Sequence, residues 1–372
     1  MKNILLISFL LLFAGGELGR INPNQYLTIY LHDILVIAYL FFNLTQLKKI
    51  IKNIKKIKNF NKKIFLLLFL NIFLATIYAL WQKEFAFTSL LYLARASAYF
   101  LFVLFLKKEF GQKKIIQVFL NASLIMLAIA FLQYLFLPDL TSLYHLGFDD
   151  HFYRLTGTLL DPNFTGLLFV FNWLYYAKQP KLNKKTVFLA IVFLIGIALT
   201  YSRAAYLSLI LASCYLLLKS KKTHKLFILL TVTLFLTLIP FLPKKSGGEG
   251  VNLQRTSSIE ARIVTAKQFI NKNQGLTVIV GQGPFTPQYQ TNKEGLISHA
   301  RFADNFLIFL YNGFGLFGGI LILILLAQES KKQISSDNHF KISLLIALLT
   351  HSLFNNNITQ AFISLLFWGL YL

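Results

Sequence analysis

The sequence predicts an all-α polytopic membrane protein of about 12 transmembrane helices, with one long outer loop carrying short amphipathic helices. Three observations predict it. Of 372 residues, 56% are hydrophobic, and the mean hydropathy is +0.61. The apolar residues gather into runs of about twenty, the length a helix needs to cross a hydrocarbon core of roughly 30 Å. The 37 lysines and arginines give a formal net charge of +23, but they sit in short clusters between the apolar runs. That pattern belongs to membrane topology and excludes a continuous basic face for nucleic acid.

Taken in order, the runs place spans near 3–16, 25–46, 64–81, 88–106, 115–137, 159–177, 186–201, 204–218, 226–242, 303–327, 342–354 and 359–372. The first, Met1-Lys2 followed by apolar residues to Ala14, resembles a secretory signal. A second hydrophobic segment follows at once and no small-residue cleavage site is clear, so it reads as an uncleaved span. The chain reads as a single membrane-embedded domain over residues 1–372, with 243–302 as the large outer loop within it. Cys214 is the one cysteine, which excludes a disulfide framework and a cysteine-built metal site. Its place inside an apolar run reads as core packing.

Orientation follows from the loops. With a cytoplasmic N-terminus, Lys2 and the inside loops 47–63, 107–114, 178–185, 219–225 and 328–341 hold 24 of the 37 basic residues. The excess puts both termini in the cytoplasm. All 24 are lysines, whereas the seven arginines, Arg20, Arg95, Arg154, Arg203, Arg255, Arg262 and Arg301, fall elsewhere. Arginine presents a planar fork of donors that grips phosphate oxygens two at a time, while lysine acts as a point charge. The outer face therefore reads as built for a phosphorylated or otherwise anionic group. Arg20, Arg255 and Arg301 have an alternative reading as snorkelling anchors at helix ends. Arg95 falls inside an apolar run, where a central cation costs about 2.5–3.5 kcal/mol, and should face the bundle interior.

Three outer segments carry candidate chemistry. In Tyr153-Arg154-Leu155-Thr156-Gly157-Thr158, leading to Asp161-Pro162-Asn163, Asp161 is a helix cap with proline at the first helical position. The cap puts Arg154 beside a positive helix end, and both favour an anion. Asp149 and Asp150 flank His151 in the same loop; they read as a second base candidate or, preferably, as solvated loop. The second segment, Thr200-Tyr201-Ser202-Arg203-Ala204-Ala205-Tyr206, is a polar break between two apolar runs with almost no loop. In the third, Ser257-Ser258-Ile259-Glu260 matches a capping box, with Arg262 two positions past the glutamate. Gly281-Gln282-Gly283-Pro284 is a turn, and no Gly-Lys-Ser/Thr follows to make it a P-loop. His299-Ala300-Arg301-Phe302-Ala303-Asp304-Asn305 then enters a span whose Gly315 and Gly319 read as aids to close helix packing.

This order of segments resembles the O-antigen ligase and polymerase superfamily, over about Tyr153 to Gly319. The carriers are Arg-Leu-Thr-Gly with Asp-Pro-Asn, Ser-Arg-Ala-Ala, an arginine in a capped helix, Gly-Gln-Gly-Pro, and Asp-Asn before a glycine-rich span. The resemblance implies a metal-independent membrane glycosyltransferase of a bacterial inner membrane, with no cofactor. Its donor would be a glycan on undecaprenyl pyrophosphate, and its acceptor a lipid-linked repeat or a lipid A core. A chain-length regulator is a further partner of the kind the family uses. Carried over by position, Arg154, Arg203 and Arg262 would hold the pyrophosphate, with Arg95 a further candidate. Ligases of the family carry a histidine directly before the Asn or Ser at the start of the span after the long loop. Here Asp304 takes that place and His299 lies five residues earlier, so Asp304 or His299 would be the base for the acceptor hydroxyl. That departure tips the reading toward a polymerase, with a ligase as the alternative. A transporter of lipid-linked oligosaccharide is the reading from another class, with Asp33 and Gln133 as candidate ion-pathway residues, but the sequence shows no convincing internal repeat.

Overall fold

The computed structural model describes residues 2–24, 27–44, 62–81, 87–146, 148–243, 249–285 and 303–372. Among them the helices are α1 (Lys2–Gly15), α2 (Leu31–Phe42), α3 (Lys62–Trp81), α4 (Phe87–Phe110), α5 (Gln112–Phe136), α6 (Pro162–Ala177) and α7 (Lys184–Leu199). They continue as α8 (Arg203–Lys219), α9 (Lys222–Leu238), α10 (Ser257–Lys272), α11 (Leu276–Val280), α12 (Phe306–Ser335), α13 (His339–Ser352) and α14 (Ala361–Tyr371). A helix occupies each of the twelve apolar runs. Among the described residues, five stretches are long and apolar enough to cross a membrane: Lys63–Trp81, Ser89–Phe110, Gln112–Phe136, Lys222–Phe241 and Phe306–Ser335. Others are short; α2 has 12 residues and α14 has 11, which at 1.5 Å per residue is about 17 Å of rise.

The span expected from residue 25 is corrected at its start. Arg20–Asn24 (β1) and Leu27–Tyr30 (β2) pair antiparallel, with Arg20 opposite Tyr30 and Ile21 opposite Ile29. The reason α2 begins only at Leu31 is Asp33, whose Oδ2 accepts the Tyr30 amide at 2.9 Å and satisfies a donor the first helical turn leaves over.

The chain divides into two compact units. Unit 1 comprises Met1–Gly19, Gly111–Ala261 and Lys332–Leu372, and unit 2 comprises Arg20–Phe110 and Arg262–Lys331. In unit 1, α6 is almost wholly buried, Trp173 included, because α7, α8, α13 and α14 all pack around it. Phe9 and Phe13 of α1 meet Phe119 of α5 at 5.5 and 5.3 Å between ring centroids, edge to face. Cys214, expected in the core, is instead exposed on α8. The helix is apolar on every side, so composition could not say which face turns inward.

In unit 2, α2 packs on α4, where Tyr39 stands edge-on to Phe102 and Phe105. Helix α12 is broken at Gly315 (φ 65°, ψ −173°). A side chain there would collide with the backbone of Ile279 and Gly281. The break is filled by the Gly281–Pro284 turn, where the Gln282 amide donates to the Asn312 carbonyl at 2.7 Å and takes up an acceptor that the break frees. Gly315 thus permits close packing, as expected; Gly319 meets nothing nearer than ordinary contact. Helix α3 leaves Leu66, Phe69, Phe73 and Leu74 exposed, an apolar surface far from what water tolerates.

Candidate anion-binding site

Unit 1 brings two helix starts together. At α6, Asp161 Oδ1 accepts the amides of Asn163 (2.6 Å) and Phe164 (3.2 Å), with Pro162 at the first position. At α8, Ser202 Oγ accepts the Ala205 amide at 3.3 Å. The same hydroxyl donates to Asn163 Oδ1 at 2.9 Å, tying one helix start to the other. Helix starts carry partial positive charge and unsatisfied N–H groups, so a joined pair is a natural anion seat.

Three arginines surround this pair. Arg154 is 5% exposed; its Nε donates to the Thr200 carbonyl at 2.9 Å and a terminal nitrogen reaches the Tyr201 carbonyl at 3.5 Å. Arg203 donates to the carbonyls of Arg255 (2.9 Å) and Leu253 (3.4 Å). Arg255 in turn donates to Gly250 (2.6 Å) and Asn252 (3.0 Å). Gly250 closes the ring, since a Cβ on it would lie 2.8 Å from Arg154 Cδ. Main-chain carbonyls orient each guanidinium through its N–H donors.

The supports are local. Gln133 Oε1 accepts the amides of Thr156 (3.0 Å) and Gly157 (3.3 Å), and its Nε2 donates to the Leu137 carbonyl at 3.0 Å. A residue weighed for an ion pathway therefore spends its hydrogen bonds holding the Arg154 loop. The Leu155 amide donates to the Leu199 carbonyl at 2.9 Å, fixing the loop to the end of α7. Tyr153, Leu160 and Tyr201 all adopt positive φ, at 51°, 50° and 51°. Each costs about 1–3 kcal/mol and persists where surrounding structure over-determines it, commonly at ligand sites. All three directly flank Arg154, Asp161 and Ser202.

Asp149 and Asp150 are exposed, as the solvated-loop reading expects, but His151 beside them is not. It is only 7% exposed, because its strand-like neighbours are pinned: Leu140 donates to the His151 carbonyl at 2.9 Å and Tyr153 to Pro138 at 2.8 Å. Burial first, then the charges of Arg154 and Arg255, push its pKa down to about 3. The ring is neutral at pH 7.

The other site residues expected from sequence lie in unit 2 or outside the described residues. Arg95 does face inward, with its side chain 15% exposed and paired to Asp33 Oδ2 at 3.0 Å. It also donates to the Thr28 carbonyl and lies over the rings of Tyr30 and Tyr92, 5.4 and 5.0 Å from their centres. Tyr99 donates to the other Asp33 oxygen, and His32 Nε2 lies 3.0 Å from the Tyr99 hydroxyl. An apolar cavity of about 210 Å³ borders Asp33, Arg95 and Tyr99. Arg262 is half-buried on α10, and Asp304 is exposed just before Asn305. Asn305 caps α12 by accepting the amides of Leu307 (2.8 Å) and Ile308 (3.2 Å). His299 and Arg301 lie outside the described residues, as do the side chains of Ser257 and Ser258. The sequence left Arg255 open between an outer-face anion binder and a helix-end anchor and did not place it beside Arg203; the Gly-Val-Asn segment before it, whose carbonyls do the holding, carries no side-chain signal.

No family model matches the chain, and a comparison with curated proteins finds no match.

Proposed function

We propose that the chain polymerises lipid-linked oligosaccharide repeat units, of O-antigen or a related surface polysaccharide, by glycosyl transfer from undecaprenyl pyrophosphate. The reaction runs on the periplasmic face of a bacterial inner membrane. All twelve apolar runs cross that membrane, both termini are cytoplasmic, and residues 243–302 form the periplasmic loop. The lysine asymmetry supports this orientation, which puts the starts of α6 and α8 on the outer side.

One observation carries the reading: Arg154, Arg203 and Arg255 are gathered by carbonyl bonds around two joined helix starts. In the transfer, the bond from the anomeric carbon to the donor phosphate oxygen breaks, and the acceptor hydroxyl oxygen bonds to that carbon. The hydroxyl proton passes to a base, and the departing pyrophosphate gains negative charge. Donors already aimed at developing charge lower the barrier because they need no reorganisation. The base is assigned from the resemblance alone, to Asp304 with His299 as the second candidate, and Arg262 carries its phosphate-binding role on the same ground; Arg95, the further candidate by sequence, is read as the ion-pair partner of Asp33.

The glycan profile of a deletion strain tests the reading. Single repeats on the lipid A core with the longer ladder gone mean polymerase. Full-length chains accumulating on undecaprenyl pyrophosphate above bare core mean ligase. An unchanged profile overturns both.

A further inference from the structure

Beside the arginines, one ring nitrogen of His151 and one carboxylate oxygen each from Asp149 and Asp161 lie within 4.8 Å of one another. Two carboxylates held that close repel each other unless a proton or a cation sits with them. His151 Nε2 is buried and has no hydrogen-bond partner, on a side chain that is 7% exposed. Leaving a buried polar atom unsatisfied is costly, and such atoms call for a ligand. Asp161 uses Oδ1 for its two amides, which leaves Oδ2 outside the cap pair.

We propose that Asp149, His151 and Asp161 bind one divalent cation of the Mn²⁺ or Zn²⁺ class. One imidazole nitrogen and two carboxylate oxygens form a mixed donor set suited to those ions, and too nitrogen-rich for a dedicated Mg²⁺ or Ca²⁺ cage. With bonds of about 2.0–2.2 Å, three ligands of one tetrahedral ion lie about 3.3–3.6 Å from one another. The observed spacing, within 4.8 Å, closes to that with side-chain rotations of about an ångström.

The cation would have a scaffold role. It neutralises the two carboxylates and ties the loop, three residues before Arg154, to the cap of α6. Nearby Arg154 and Arg255 then face an electroneutral cluster. The site takes no part in glycosyl transfer, so it stands or falls independently of the proposed reaction.

The test is a Mn²⁺ titration of the purified, metal-stripped full chain in detergent, followed by electron paramagnetic resonance. The wild type should bind one Mn²⁺ per chain saturably, with nitrogen coupling from the imidazole. Asp149 is exposed, so Asp149→Asn folds normally and should weaken binding at least about tenfold. His151→Gln should abolish the nitrogen coupling. Asp150→Asn, next door but outside the cluster, should bind as the wild type does. Absence of saturable binding by the wild type would overturn the proposal, as would wild-type affinity in Asp149→Asn. Equal weakening by Asp150→Asn would also overturn it, since that marks diffuse attraction to loop acids.

Discussion

Arg95 and Arg154 are both buried guanidiniums in an apolar protein, yet they are answered by different chemistry. Arg95, in unit 2, meets the Asp33 carboxylate at 3.0 Å, and the pair is walled by Tyr30, Tyr92 and Tyr99. Arg154, in unit 1, is oriented by the carbonyls of Thr200 and Tyr201. A carboxylate cancels charge; a carbonyl only aims it. The first arrangement suits an ion pair that holds β2, α2 and α4 together, the second a guanidinium aimed by the backbone beside two helix starts. Inside a membrane an ionisable residue raises a functional hypothesis by default, and the contrast between the two sites shows that the identity of the partner should decide whether it stands.

The contrast breaks first at Arg154. Arg154→Ala should reduce glycan transfer by about 10²–10³-fold or more, the usual cost of removing one preorganised donor, while the protein still inserts. Arg154→Lys should recover little, because an ammonium lacks the fork that spans two oxygens. Radiolabelled repeat-unit incorporation in membranes would measure both, and full activity in either variant would remove Arg154 from the anion site.

At the other site the large effect should fall on stability. Asp33→Ala leaves Arg95 buried without its carboxylate, at a cost of about 3–5 kcal/mol, seen as a lowered unfolding midpoint in detergent. The double variant Asp33→Leu, Arg95→Met should restore most of that loss, since replacing both partners of a buried pair by apolar groups is often neutral. It should also retain transfer activity. A well-folded double variant that cannot transfer glycan would make Arg95 a phosphate ligand after all and erase the distinction.

Much of this was legible in the sequence, and the losses have physical causes. Helix positions were readable because apolar length alone marks them, and the Asp161-Pro162 and Asn305 starts because caps have local signatures. The pairing of β1 with β2 was hidden by apolar residues that suit a span as well as a strand, with Asp33 setting the later start. Burial was the least legible property: Cys214 looked internal and is exposed, and His151 is buried although the acids before it are solvated as expected. In a chain apolar on all faces the period of hydrophobicity does not distinguish a lipid-facing side from a packed one. The grouping of Arg255 with Arg203 was hidden because carbonyls do its positioning, and every residue type has a carbonyl.

Gln133 gives the smallest test and the most discriminating one. It lies in α5 and holds the main chain of 156 and 157, as well as the end of its own helix at Leu137. Gln133→Ala strands buried amides, which should cost about 1–3 kcal/mol. If carbonyl-held arginines depend on a rigid loop, transfer should also fall, by more than the lost stability accounts for at a temperature where the variant is folded. Gln133→Glu keeps the accepting oxygen but loses the donor to Leu137 and buries a charge, so it should recover only part of the stability. A fall in transfer that persists in Gln133→Glu would trace to the added negative charge near Arg154. Both variants folded and fully active would mean that Arg154 needs no such support, and that its orientation comes from Thr200 and Tyr201 alone.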